Sequence, residues 1–449
     1  MTTHLVPLQN IIDTLVIQDT YEEKDIEDLR ESIYIIIEDF VKNNILEYKF
    51  EDFETHIFTH TYKIVALLHA QVLDIFPTLV ISDFITEGIH GYFHMIALPR
   101  SYASYSQSAI ISERDLAKHI QYLFNKEQPE QRTHAWFNFR WNHITASNAW
   151  LALDSEKNQN RIIYSKCKPV NREKYSRINI NSPMHHGQRY EDLSIQFYEK
   201  LYSTKVGELG CLAHDIHSFI AGSPDGINIK RNNQRYGRLV EVKNPTSRKI
   251  TGRAKKEYWI QMQIQMFATG LTLCDFLETV YKEYASEEDF YNDGCFTKTA
   301  AQKPKGIMVC FHNGNKPIYK YSPYGASKEK YESWYTDLLA TNDQLTWIQN
   351  VHWYLEDYSC ITVPFNAAWM DAALPQFRKI WDTIQKERVE GYDHRKPTKR
   401  VIKPALINME PPKQCTIPDL IKGDKDNKDN KVIIKIRTES FSSTQNSNS

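Results

Sequence analysis

The sequence predicts an α/β protein, a central sheet flanked by helices and preceded by a helical N-terminal domain. Three observations predict it. The run Leu239–Lys243 (LVEVK) has period two: Leu239, Glu241 and Lys243 share one face, and Val240 and Val242 share the other. Upstream, Ser223-Pro224-Asp225-Gly226 separates two short apolar runs, 219–222 and 227–229. Pro presets φ and Gly tolerates positive φ, so this tetrapeptide reads as a hairpin turn with Asp225 at its tip. Around these runs, the stretches 22–43, QRYEDLSIQFYEKLYS and EYWIQMQIQMFATG carry apolar residues near the 3.6-residue period of a helix.

Taken in order, residues 22–43 read as a helix because Ile26, Leu29, Ile33, Ile36, Ile37, Phe40 and Val41 recur on one side with acids opposite. The apolar pattern that follows is expected to stay helical up to Pro77. Residues 110–124 form another predicted helix, capped by Ser112 with acids in its first turn. No residue pattern with chemistry falls here, so 1–125 is expected to be a helical accessory domain, with NKEQPEQ (125–131) as linker. Residues 126–395 are expected to form the central domain and its C-terminal extension. Within it, 171–180 reads as a polar loop. The helix after Gly187 has a buried stripe of Tyr190, Leu193, Phe197 and Leu201, which leaves Glu191 at its edge. Residues 306–311 and Pro317–Tyr321 read as strands either side of an HNGNK turn, completing the edge of the sheet. Helical patterns follow at 328–339 and Ala367–Glu390, and Trp334, Trp347, Trp353 and Trp369 are assigned to the core. Residues 396–449, rich in Pro, Lys, Asp, Asn and Ser, cannot support a core and read as a mobile tail.

The 449 residues suffice for two or three domains, and 41% hydrophobic with 25% charged residues is a globular composition. No run approaches the length of a membrane span, and the acidic N-terminus lacks the basic start of a secretory signal. Seven scattered cysteines without CxxC spacing point to reduced thiols inside a cell. A net charge of −1 conceals an asymmetry: residues 1–54 carry fourteen acids against four Lys/Arg, whereas 131–265 carry twenty-two Lys/Arg against eleven acids. A basic segment in a neutral chain is the electrostatic footprint of a polyanion binder.

The chemistry concentrates in that segment. Glu241 and Lys243 stand two residues apart on one strand face, beside a turn bearing Asp225. Paired carboxylates hold a hard divalent cation through oxygen ligands, and the lysine adds positive charge for an anionic group beside them. That is the layout of a metal-dependent phosphodiesterase. Arg140 precedes Ser147 by seven residues, and Thr145 or Ser147 is placed to cap a helix starting at Asn148; hydroxyl and guanidinium together suit a phosphate. In EYWIQMQIQMFATG, Tyr258, Gln261 and Gln265 share a face opposite Ile260, Ile264 and Phe267, where glutamines could position a water or a phosphate oxygen. Cys211-x2-His214-x2-His217 has the spacing of a zinc site, but an alternating strand leading into the hairpin explains it better.

The ordered set W-x3-R-x3-ITAS, HGQRYE, AGSPDG, LVEVK and YWIQMQIQM, spanning roughly 131–280, resembles the YqaJ-type viral recombinase family, which includes phage lambda exonuclease, within the PD-(D/E)xK nuclease superfamily. The resemblance implies a restriction-endonuclease-like core with a mixed central sheet. Position by position, it implies that Glu191 is the helix carboxylate of the site. Asp225 and Glu241, with the backbone carbonyl of Val242, would be the metal ligands. Lys243 would orient or help deprotonate the attacking water, and Gln261 and Tyr258 would match the glutamine and tyrosine of the following helix. Arg140 and Ser147, with Ser223 nearby, would grip the 5′-phosphate of the degraded strand. Three carboxylates and a lysine suit one or two Mg²⁺ ions, or Mn²⁺, better than Zn²⁺. The expected activity is hydrolysis of double-stranded DNA, 5′→3′ from ends, in viral recombination or genome processing, with DNA ends and a single-strand annealing protein as partners and no membrane. The expected location is inside the cell, the host cell if the protein is viral. The rival readings are an endonuclease or alkaline nuclease that also cuts RNA, and a DNA-end-binding scaffold without catalysis.

Overall fold

The computed structural model describes residues 23–68, 78–103, 105, 112–170, 182–314 and 316–396. The expected loop at 171–180, the helical continuation just before Pro77 and the tail from 397 onward lie outside the described residues.

Three helices open the described chain, α1 (Glu23–Asn43), α2 (Phe53–Leu68) and α3 (Thr78–Met95). The apolar stripe read from the sequence is the buried one: Leu29, Ile33, Ile37 and Phe40 pack with Ile57, Val65, Ile81 and Ile85. Helix α4 (Glu113–Asn125) begins where expected, with the Ser112 hydroxyl accepting the Asp115 N–H. These helices do not have a core of their own. The cluster that holds them continues through Ile144, Trp259, Phe276 and Trp369 into the α/β part. Arg100, buried at the seam, donates to the carbonyls of Tyr48 and Lys49 (both 3.1 Å) and of Ala254, while its own carbonyl accepts the Trp259 indole N–H at 3.1 Å. The N-terminal third therefore braces the chain just before the helix that packs on the site.

Next come α5 (His134–Trp141), the two-residue strand β1 (Ile144–Thr145), the single turn α6 (Ala146–Ala149) and α7 (Glu156–Cys167). Helix α8 (Pro183–Leu201) starts five residues before the predicted pattern, with Ser182 capping and Pro183 in the first turn. Tyr190, Leu193 and Phe197 are buried as expected; Leu201 is exposed and Tyr198 takes its place, because the helix ends at Leu201 beyond the sheet.

Strands β2 (Val206–Gly207), β3 (Leu212–Ala213), β4 (Ile220–Gly222), β5 (Gly226–Asn228) and β6 (Leu239–Lys243) precede α9 (Lys256–Thr269). After it come β7 (Leu273–Glu283), α10 (Glu287–Asn292), β8 (Lys305–His312), β9 (Pro317–Tyr321), α11 (Lys328–Thr341), β10 (Thr346–Pro364) and α12 (Ala367–Glu390). The main sheet is mixed, in the order β2-β5-β6-β7-β10-β8-β9, with β6 parallel to β7 and the other pairs antiparallel. A second sheet has the order β1-β4-β3.

The predicted hairpin at Ser223–Gly226 is corrected by this topology. β4 and β5 belong to different sheets, and β5 pairs with β2 and β6 instead. The turn hands the chain from one sheet to the other, so Asp225 sits where the two meet rather than at the tip of a hairpin. The strand expected through His214–His217 is a turn: His214 Nδ1 accepts the N–H groups of Ile216 and His217 at 3.0 and 2.9 Å. The predicted strands at 306–311 and Pro317–Tyr321 pair in register at the sheet edge. Trp353 and Trp369 are core residues, whereas Trp347, opposite Phe311 of β8, is exposed.

The two faces of β6 are covered from opposite sides. Leu239 packs with Ile227 and Phe276 in the cluster shared with α9, and Val240 and Val242 pack with Tyr190, Leu193 and Leu277 under α8. Each buried valine contributes about 1.5–3 kcal/mol relative to exposure. Slipping β6 by one residue would place Glu241 and Lys243 in that apolar layer.

Candidate active site

The period of β6 aims Glu241 and Lys243 at α9, and α9 answers with its glutamine face. Glu241 is fully buried (0%). Its Oε1 accepts from Lys243 Nζ and from Gln261 Nε2 (2.6 Å), and its Oε2 accepts from Gln265 Nε2 at 2.7 Å. Gln265 Nε2 also donates to the Ser223 carbonyl at 3.0 Å, which ties α9 to the turn carrying Asp225. A Cβ on Gly222 would lie 2.8 Å from the Gln265 Cα, so only glycine permits this approach.

Asp225 is fixed by the strand beside it. Its N–H donates to the Val240 carbonyl at 3.1 Å, and its Oδ2 accepts the Val242 N–H at 2.7 Å. Glu191 comes from α8, on the other side of the sheet. Burial pushes its carboxyl up to about 7, with Glu241 and Asp192 adding to the rise and Lys243 and Arg132 opposing it. Burial also raises the Asp225 carboxyl well above its ordinary range, reinforced by Glu241 and then Glu191. Burial works against the Lys243 ammonium, but Glu241 and Asp225 outweigh it and its pKa is raised. Three carboxylates thus feel one another's charge around one ammonium. Lys243 Nζ lies 5.3 Å from the centre of the Tyr258 ring.

The donor chemistry of this group fits a hard divalent cation. All of its side-chain ligand atoms are oxygens, one lysine leaves the carboxylates in excess, and the buried Gln265 Oε1 has no hydrogen-bond partner. The side chains do not form a ready-made cage, since Lys243 and the two glutamines engage both Glu241 oxygens. Among the described residues no three His, Cys, Asp or Glu side chains are disposed to hold an ion, and that includes Cys211, His214 and His217.

Of the second constellation, Arg140 and Ser147 are brought together. Arg140, near the end of α5, donates to Ser147 Oγ at 3.1 Å and lies 4.6 Å from the centre of the Trp136 ring. Thr145 rather than Ser147 occupies the cap of α6, and its N–H donates to Asn148 Oδ1 at 3.1 Å. Ser147 is therefore free of capping and faces Arg140. β1 runs parallel to β4 with Ile144 opposite Ile220 and Thr145 opposite Ala221, which sets the start of α6 beside the end of β4.

Two features escaped the sequence. Arg248, from the basic loop after β6, pairs with the buried Glu278 of β7, and its guanidinium lies 5.6 Å from the Tyr258 ring centre. The sheet register sets Glu278 opposite Lys243, a neighbour invisible until β7 is placed. The other is Lys166 of α7, 6% exposed, whose ammonium donates to the Arg140 carbonyl.

Burial, then the charge of Arg140, lowers the Lys166 pKa to about 7; Arg388 acts in the same direction and Cys211 opposes it. A depressed ammonium in the folded state means that the unfolded chain binds the extra proton between that value and the free value of about 10.4. Stability from this group therefore rises with pH across that window, by about 1.4 kcal/mol per unit. Lys166→Met is expected to remove the rise. Urea unfolding of wild type and variant between pH 7 and 9.5 checks it, and parallel pH dependences would refute the buried-ammonium reading.

Residues 135–272 match the model of the YqaJ-like viral recombinase domain. The matched stretch, less than half of the chain, is similar to that domain. It holds Arg140, Ser147, Glu191, Ser223, Asp225, Glu241, Val242, Lys243, Tyr258 and Gln261 within its bounds. Over an alignment of 300 residues the chain is 27% identical to the uncharacterized protein R354 of Acanthamoeba polyphaga mimivirus, covering 57% of this chain and 53% of R354. The chain spans about half the length of this curated relative. Among solved structures it is similar to the alkaline exonuclease LHK-Exo of Laribacter hongkongensis, alone and in complex with dAMP. Each shows 17% identity over 57% of this chain and 94% of that one, with a TM-score of 0.34.

Proposed function

We propose that this chain is a divalent-cation-dependent deoxyribonuclease that degrades linear double-stranded DNA in the 5′→3′ direction. The observation that carries this reading is the placing of Asp225 against β6 and of Glu241 within it, beside Lys243, with Glu191 of α8 near enough for its charge to act on them, inside the YqaJ-like stretch. Glu191, Asp225, Glu241 and the Val242 carbonyl would hold Mg²⁺ or Mn²⁺, which supplies charge neutralisation for a phosphodiester and activation of water.

The chain's own residues do the rest. Gln261 and Gln265 fix both oxygens of Glu241, so its carboxylate is oriented before substrate arrives. Lys243 presents a cation to the phosphoryl oxygens, and Tyr258 packs against its ammonium. Arg140, Ser147 and Ser223 form the pocket for the 5′-phosphate, with guanidinium and hydroxyl donors suited to a terminal dianion. Recession of the 5′ strand leaves a 3′ single strand, the substrate of a single-strand annealing partner in viral recombination inside the host cell. Among the described residues no helix is long and apolar enough to cross a membrane.

The test is a linear 5′-phosphorylated duplex and a closed circle of the same sequence, each incubated with the full chain in Mg²⁺. The linear form is expected to be degraded at least about a hundredfold faster, because only it offers an end to position. Comparable cutting of the circle would establish an endonuclease instead. Binding of both without hydrolysis, in Mg²⁺ and in Mn²⁺, would leave a scaffold.

A further inference from the structure

Helix α12 (Ala367–Glu390) lies wholly outside the matched residues 135–272, yet its last turn reaches back to the pocket of Arg140. Arg388 donates from Nε and NH2 to the Lys166 carbonyl at 3.0 and 2.9 Å, and from NH2 to the Trp141 carbonyl at 2.6 Å. Its NH1 reaches Asn142 Oδ1 at 3.4 Å, and its guanidinium lies 3.5 Å from the Trp141 ring centre. Lys166 donates to the neighbouring carbonyl, that of Arg140. Two consecutive carbonyls at the end of α5 are thus taken by two basic side chains, one each from α7 and α12.

Those carbonyls belong to the last turn of a helix, where no intrahelical donor remains and where positive charge is favoured. Besides this bracket, α5 is held at its end by the Trp141 indole N–H, which donates to the Lys168 carbonyl at 2.9 Å. It is eight residues long and none of them is buried, and a helix of two turns is not stable by itself. Core packing therefore does not fix the direction in which Arg140 leaves the backbone, whereas the paired basic side chains do. We infer that Arg388, acting with Lys166, is a positioning residue for the 5′-phosphate pocket, so that a helix outside the YqaJ-like domain sets the discrimination between phosphorylated and unphosphorylated ends. This rests on the proposed role of Arg140 and extends it to a segment outside the YqaJ-like stretch.

A tie between helices could also be only structural, and the molecule supplies the control. Arg395 fastens the same end of α12 to α7, pairing with Glu387 at 2.5 Å and with Asn160 of α7. The structure gives it no hydrogen bond to Trp141, Asn142 or Lys166. The readout is the ratio of initial rates on linear duplexes with 5′-phosphate and 5′-hydroxyl ends, measured on the full chain, with the melting temperature of each variant recorded beside it. Wild type is expected to favour the phosphate by about a hundredfold, and Arg140→Ala to bring the ratio to about one. Arg388→Met, which keeps the apolar stem over Trp141 and loses the donors, is expected to lower the ratio about tenfold, and Arg388→Lys to recover part of it. Arg395→Ala is expected to lower the melting temperature and leave the ratio as in wild type.

If Arg140→Ala collapses the ratio and Arg388→Met does not, the inference is overturned while the pocket stands. If Arg140→Ala leaves the ratio intact, the reading of the pocket fails and the inference goes with it. A ratio lowered equally by Arg395→Ala would make the effect general loosening and overturn the inference. Should Arg388→Met not fold, the ratio of Arg388→Lys against Arg395→Ala decides in the same way.

Discussion

Asp225→Asn lowers the rate of linear-duplex hydrolysis by about 10³-fold or more, since it removes one of the charges that neutralise the reacting phosphate. The substitution isolates charge from shape. The amide oxygen still accepts the Val242 N–H that Asp225 Oδ2 receives at 2.7 Å, so the turn stays docked on β6. What disappears is one of three mutually repelling carboxylates. Burial and the charges of Glu241 and Glu191 already disfavour ionised Asp225, so the metal-free variant is expected to melt higher than metal-free wild type. Loss of activity with gain of stability is the signature of a group kept for chemistry at the cost of the fold. Rates on a 5′-phosphorylated linear duplex in Mg²⁺ and melting in EDTA measure the two halves. A rate within tenfold of wild type would remove Asp225 from the reacting centre.

The site was more legible in the sequence than the sheet that holds it, and the reason is geometric. LVEVK shows its two faces because period two survives intact over five residues, and the i, i+3, i+7 spacing put Tyr258, Gln261 and Gln265 on one side of a helix before any fold was known. The long strand Thr346–Pro364 escaped because its alternation is broken twice, by irregularities at Trp347/Gln349 and Leu355/Asp357. Each one shifts the pattern by a residue, so the two faces trade places along the run. The Ser-Pro-Asp-Gly turn was recognised as a turn, but a tetrapeptide fixes only local direction. That its two flanks enter different sheets depends on pairings with Ile144 and Val240, far away in the chain. Lys166 and Arg388 were unreadable for the same reason: an ammonium on one helix and a guanidinium more than two hundred residues later meet only through the packing of α7 against α12. Glu191 was legible in part, since its place at the edge of an apolar stripe gave the position, while its company was supplied by the resemblance.

Asp275→Asn is expected to destabilise the protein by about 3–5 kcal/mol, the range for removing one partner of a buried ion pair. Asp275 lies opposite Val240 in the β6–β7 register, one pleat from Glu241 and on the other face of the sheet. Like Glu241 it is 0% exposed. Its surroundings are the reverse. Oδ2 accepts from Tyr198 OH and Arg235 NH1, each at 2.5 Å, and Oδ1 from Thr362 Oγ1 at 2.7 Å and Arg238 NH1 at 3.4 Å. The two arginine side chains are only 16% and 3% exposed, so neutralising Asp275 strands two buried cations, and an amide that must place its NH2 toward one of them loses an acceptor as well. The same chemical change, carboxylate to amide, is therefore expected to have opposite signs at these two buried sites: stabilising at Asp225, where negative charge is in excess, and strongly destabilising at Asp275, where positive charge is. Urea unfolding of both variants in EDTA compares them directly. A cost below about 1 kcal/mol at Asp275, the worth of an exposed pair, would mean that the arginines find water or other partners, and that charge balance is not what distinguishes the structural face of this sheet from the reactive one.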